Sequence, residues 1–136
     1  MSDERIRSLE RAWIAGDAAA LVELIELRVR RSTPSAPEPS GDWTEVFSRV
    51  GLDYDDVREV YARHEEPGDL AEWSGVMLAS LKDGRIVAAS GWCDTTGWGC
   101  QDGSVCSAHE SLTEAIAMGL TDVDRRNLLS AFSVDP

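Results

Sequence analysis

The chain reads as an α+β fold: a small antiparallel sheet, a hairpin plus a third strand, packed with helices and preceded by an N-terminal helical hairpin. Three observations predict it. Apolar residues recur at helical spacing through the first half, they close up into strand-like runs from Trp73, and helix-capping patterns return at Ser111. At 136 residues, 43% apolar and 28% charged, the composition suits a single globular chain that buries roughly two thirds of its unfolded surface.

Ile6, Leu9 and Trp13 stand at i, i+3 and i+7, one face of a helix over 4–15. Gly16 can take the left-handed conformation that ends it, and Asp17 can cap a second helix over 18–31 that buries Leu21, Val22, Leu24, Ile25 and Val29. Together, residues 1–32 form a helical hairpin. "STPSAPEPSGD" follows, with three prolines and no large apolar side chain, so 33–42 reads as an extended, mobile linker to a core domain over 43–136.

Asp42 with Glu45 resembles a capping box ahead of Trp43, Val46, Phe47 and Val50, a short helix closed by Gly51. Asp53 then caps an expected helix in which Tyr54, Val57, Tyr61 and His64 share a stripe, stopped by Pro67-Gly68. "WSGVMLASL" and "RIVAASGWC" flank Lys82-Asp83-Gly84, a strong hairpin signal, and "GSVCSAH" (103–109) supplies a third strand. Ser111 with Glu114 predicts a capping box and a helix to Met118, ended by Gly119. Thr121 with Asp124 repeats the device for a last helix through Phe132. The helices are expected against one face of the sheet.

The formal net charge is −12, and residues 33–72 hold most of it, with eleven acids against three arginines. Such a surface repels phosphate backbones and anionic lipids, so neither nucleic acid nor a membrane is an expected partner. "MSDERIRSLERAW" lacks the apolar run of a signal peptide, and no stretch approaches the roughly 18 apolar residues of a membrane span. A cytoplasmic location is expected, where an odd set of three cysteines stays reduced.

"GWCDTTGWGCQDGSVC" (91–106) concentrates all three cysteines, two of five tryptophans and four of eleven glycines. Cys93, Cys100, Cys106 and His109 could supply a zinc set, but the C-x6-C-x5-C-x2-H spacing lacks a tight knuckle. On a strand, Cys106 and His109 would also point to opposite faces. Cys93 and Cys100 could form a redox pair, or a thiol nucleophile if a base lay nearby. The favoured reading treats the cysteines as small buried apolar residues and expects no cofactor. His64 and His109 read as structural, and Asp94, Asp102 and Glu110 as solvated loop acids. Asp94 before two threonines suits an Asx turn, while Trp92 and Trp98 offer flat aromatic surfaces.

"LKDGRIVAASGWCDTTGWGCQ", followed by a capping-box helix and "GLTDVDRRNL", resembles a group of small bacterial and phage proteins. These carry a strand, a K/R-DG turn, a second strand, a "CDxTGWxCQ" loop and a "GLT…R..L" tail. The likeness spans about 54–129. It implies architecture without activity, and it implies counterparts of Cys93 and Cys100 more than of Cys106 or His109, which weighs against a four-ligand site.

These readings converge on an acidic, non-enzymatic binding module, with an inhibitory or accessory role of phage or immunity type. The expected partner is another protein with a basic surface. The expected surface joins the acidic helices of 42–66 to the loop residues Trp92, Asp94, Thr96, Trp98 and Gln101. The alternatives are a metal- or redox-dependent protein using Cys93 and Cys100, and a thiol enzyme.

Overall fold

The computed structural model describes residues 3–67, 73–94 and 101–132. Helices α1 (Asp3–Ile14) and α2 (Ala18–Arg31) lead to α3 (Gly41–Ser48) and a single 3-10 turn at Tyr54–Asp56. Strands β1 (Val57–Pro67), β2 (Trp73–Leu81), β3 (Ile86–Asp94) and β4 (Gln101–His109) follow, then α4 (Leu112–Met118) and α5 (Asp122–Ser130). The fold is α+β, as the periodicities predict.

The N-terminal hairpin forms where expected. Gly16 turns the chain at φ +105°, a conformation that favours glycine, and the Asp17 carboxylate accepts the N–H groups of Ala19 and Ala20 at 3.1 and 3.2 Å. Ion pairs Arg28–Glu10 at 2.9 Å and Arg5–Glu23 at 2.5 Å cross between the helices. Leu21, Ile25 and Val29 of α2 share a core with strands β1–β3 and helices α4 and α5.

The four strands form one antiparallel meander, β1-β2-β3-β4, one strand more than the sequence suggests. The extra strand is the stretch expected to be a helix over 53–66. Asp53 does cap, but it caps the 3-10 turn, its carboxylate accepting the Asp55 N–H at 2.9 Å. The misreading has a physical cause. Two register irregularities, between Val57 and Glu59 and between Val60 and Ala62, insert extra residues into β1. They displace the period of two, so Val57 and Val60 lie on one face three residues apart, and the pattern mimics helical spacing. His64 therefore stands on a strand, not near a helix end.

Helices cover both faces of the sheet, where one was expected. Val76, Leu78 and Ala88 face the core built with α2, α4 and α5, while Met77, Ala79, Val87 and Ala89 face Trp43, Val46 and Phe47 of α3. This explains why β2 is buried at every position from Val76 to Leu81 and shows no alternation. The β2–β3 turn is the expected one, with Gly84 at φ +95°. The segment between α2 and α3 lies along β1, where Ser35 and Val60 exchange backbone hydrogen bonds of 2.9 and 2.7 Å.

Two caps differ from expectation. Ser40, not Asp42, caps α3, its Oγ accepting the Trp43 N–H at 3.2 Å; Ser40 stands three residues before a donor that Asp42 is too close to reach. Ser111 Oγ accepts the Glu114 N–H at 3.1 Å, but the Glu114 carboxylate meets His109 Nδ1 at 3.2 Å. Thr121 and Asp124 do form a reciprocal capping box, and that helix ends at Ser130 rather than Phe132. Arg125 ties the last two helices together, donating from Nε to the Ile116 carbonyl at 2.9 Å and from its terminal nitrogens to the Ala117 carbonyl and Asp122 at 2.6 Å each.

Candidate binding site

The loop-bearing end of the sheet is held by an aromatic anchor on the α3 face. Trp43, fully buried, and Trp73 meet edge to face with ring centres 5.0 Å apart and planes at 84°. Both indole N–H groups donate to Glu65 Oε1, at 3.0 and 3.1 Å, while Arg63 Nε lies 3.3 Å from Oε2. Gly75 and Gly91, side by side on β2 and β3, make room for this cluster. A Cβ at Gly75 would lie 2.7 Å from the Trp73 ring, and one at Gly91 would lie 2.8 Å from Val46. The anchor sets where β3 leaves the core, and so where Trp92 stands.

On the opposite face, the register places His64, Val76, Ser90 and Val105 in one row across the sheet, and Glu66, Ser74, Trp92 and Gly103 in the next. The first turns of α5 run beside these rows. Between them lies a groove of about 260 Å³ with Trp92 on one side, Val123 and Asn127 on the other, and Ser74 and Ser90 on its floor. Small floor residues leave the depression, and the large indole and the helix wall it. Trp92 is 46% exposed and Val123 63%, large apolar surfaces with no cover among the described residues.

Part of the groove's polar lining is already paired and part is not. His64 Nε2 lies 3.0 Å from Glu66, and its Nδ1 lies 3.4 Å from Ser130 Oγ, which orients the ring at the groove's edge. The side chains of Ser74, Ser90 and Asn127 have no hydrogen-bond partner among the described residues. A broader depression of about 720 Å³ between the proline-rich segment and α3 differs in this respect. There Tyr54 donates to the Glu38 carbonyl at 2.8 Å, Arg63 pairs with Glu38 at 3.4 Å and Arg49 with Glu45 at 2.8 Å. Burial, the largest influence, raises the Tyr54 pKa, so the phenol stays a donor.

Cys93 and Cys106, the two cysteines among the described residues, do not converge. Cys106 packs into the α3-side core, and burial pushes its thiol up to about 11, so it stays protonated at neutral pH. His109 lies on the other face of β4, against the end of α4. One ion cannot take both. Cys93 pairs in register with Asp102 and Cys106 with Ala89, which separates the two cysteines by about 13 Å along the sheet. No group of three metal-binding side chains occurs among the described residues. Cys100 falls outside them, as do Thr96 and Trp98. Of the remaining expected loop residues, Asp94 ends β3 and pairs in register with Gln101 at the start of β4.

One arrangement escaped the sequence reading. Ser107 Oγ lies 2.7 Å from His109 Nε2, and His109 Nδ1 lies 3.2 Å from Glu114, the order of an acyl-transfer relay. Gly119 packs close beside it: a Cβ there would come within 2.9 Å of His109 Nε2. The row ties β4 to α4. The Ser-x-His spacing, i to i+2 on one strand face, was its only signal.

No family model matches the chain, and no curated protein or solved structure matches it.

Proposed function

We propose that this chain acts by binding another protein, without chemistry of its own, and that the partner's contact enters the groove between Trp92 and α5. The observation that carries this reading is the half-exposed indole of Trp92 facing Val123 across a floor of serine hydroxyls. Exposed tryptophans in such surroundings are the usual anchors of protein recognition. Asp124 lines the groove and Glu66 meets His64 at its edge, in a chain of net charge −12. They favour a partner whose apolar contact is flanked by arginine or lysine. An inhibitory or accessory role, as for a small phage-type or immunity-like factor, suits that chemistry.

The test is affinity capture with the full chain and with Trp92→Ala, at low and at high salt. The reading expects a basic protein retained by the unaltered chain, released as salt rises and lost by the variant. Equal retention by a variant with an unchanged circular dichroism spectrum would refute it.

A further inference from the structure

The two edges of the sheet are not alike. The β1 edge carries Arg58, Glu59, Arg63 and Glu66, two register irregularities, a proline at its end and the bridge from Ser35. Each is a known device against edge-to-edge pairing. β4 has no irregularity, proline or bridge among the described residues, though Arg49 of α3 reaches Ser104 at 3.5 Å. Its nine residues keep unbroken register with β3, contain no lysine, arginine or proline, and carry one acid, Asp102. Among the described residues no backbone group beyond β3 pairs with its outer side. Val105, in the middle of this strand, is 60% exposed.

We infer that β4 pairs with β4 of a second copy of this chain, antiparallel about a two-fold axis through Val105, to make a continuous eight-stranded sheet. Symmetry restricts the choice of register. A two-fold axis perpendicular to the sheet keeps each face on its own side, so some residue must face its own copy. Centring on Cys106 would set Asp102 against Glu110, acid against acid. Centring on Ser104 would leave Ala108 and His109 without counterparts on the other strand. Centring on Val105 pairs Gln101 with His109 and Asp102 with Ala108, and it uses the whole of Gln101–His109. It also covers the exposed valine with its own copy on the face that carries Trp92. Full overlap, absence of opposed like charges and burial of Val105 all select the same register. The net charge of −12 opposes association at low ionic strength. Part of it lies on β1 at the opposite edge, and charge is screened beyond about 8 Å at physiological salt.

This interface lies one strand beyond Trp92 and Ser90 of the groove, on the same face, and its test reads self-association alone. Its test uses sedimentation velocity on the full chain and on Val105→Lys and Val105→Glu, both at an exposed position where the fold should persist. The unaltered chain is expected at twice 14.9 kDa, dissociating on dilution. Each variant alone should be monomeric, its dimer dissociation constant raised about tenfold or more by like charges facing on the axis. Mixing the two variants should restore the dimer, because lysine then faces glutamate. A monomeric unaltered chain at all concentrations overturns the inference. So does a dimer indifferent to both substitutions, or a mixture that stays monomeric.

Discussion

The indole of Trp92 occupies the space that a side chain at Gly103 would need: a Cβ there would lie 2.6 Å from the ring nitrogen. These two residues face each other across β3 and β4, so the glycine is the seat on which the groove's aromatic wall rests. Gly103→Ala should displace the ring. It should lower stability by about 1 kcal/mol through overpacking, moderated because Trp92 is half exposed. The check is tryptophan emission together with thermal unfolding. An unmoved spectrum and melting temperature would mean the seat is not needed.

Glu65 holds two indole N–H groups on one oxygen. Glu65→Ala leaves the donor of the fully buried Trp43 without its acceptor and should cost on the order of 2 kcal/mol. Denaturant unfolding measures this. Glu65→Gln keeps an acceptor oxygen and should recover part of the loss. Because the anchor positions β3, Glu65→Ala should also alter the emission of the aromatic cluster.

Cys106 supplies a pH dependence. Its thiol rises to about 11 in the fold from an ordinary value of 9.0. Below the unfolded value both states hold the proton and stability is unaffected. Above it the unfolded chain loses the proton first, so stability should fall between about pH 9 and 11, by roughly 3 kcal/mol at most. Cys106→Ala should be less stable at neutral pH, because it leaves a cavity, yet flatter across that interval. A pH series of denaturant melts compares the two. In the folded chain at pH 8, Cys106 should also resist a thiol reagent and react on unfolding.

Arg125 donates to two carbonyls at the end of α4 and to Asp122 on α5. Arg125→Ala should cost about 1–2 kcal/mol, since charged donors at a helix C-terminus satisfy its last acceptors. Hydrogen exchange should show faster opening of α4 than of β2, which is buried on both faces. Equal acceleration in both would indicate a general loss of stability instead.

Where local chemistry decided the structure, the sequence was readable. Gly16 with Asp17, Asp83-Gly84 and Thr121 with Asp124 each specify a turn or cap within four residues, and each forms as read. β1 was unreadable because its irregularities put Val57 and Val60, three residues apart, on one face, and so break the period of two. The second helical layer was hidden because a strand buried on both faces looks like any apolar run. Trp92 could be singled out as a candidate from its residue type alone. Its groove could not, because Val123 and Asn127 come from a helix about thirty residues further along the chain. The Glu65 anchor was equally non-local: nothing in "RHEEP" says which carboxylate meets Trp43.

The central claim is that Trp92 anchors a protein partner. Titration calorimetry of the captured partner against the unaltered chain and Trp92→Ala tests it most directly. An anchor tryptophan carries about 2 kcal/mol or more, so the variant should bind at least roughly thirtyfold more weakly while melting at nearly the same temperature. Affinity within about twofold of the unaltered chain, well inside 1 kcal/mol, would contradict the claim.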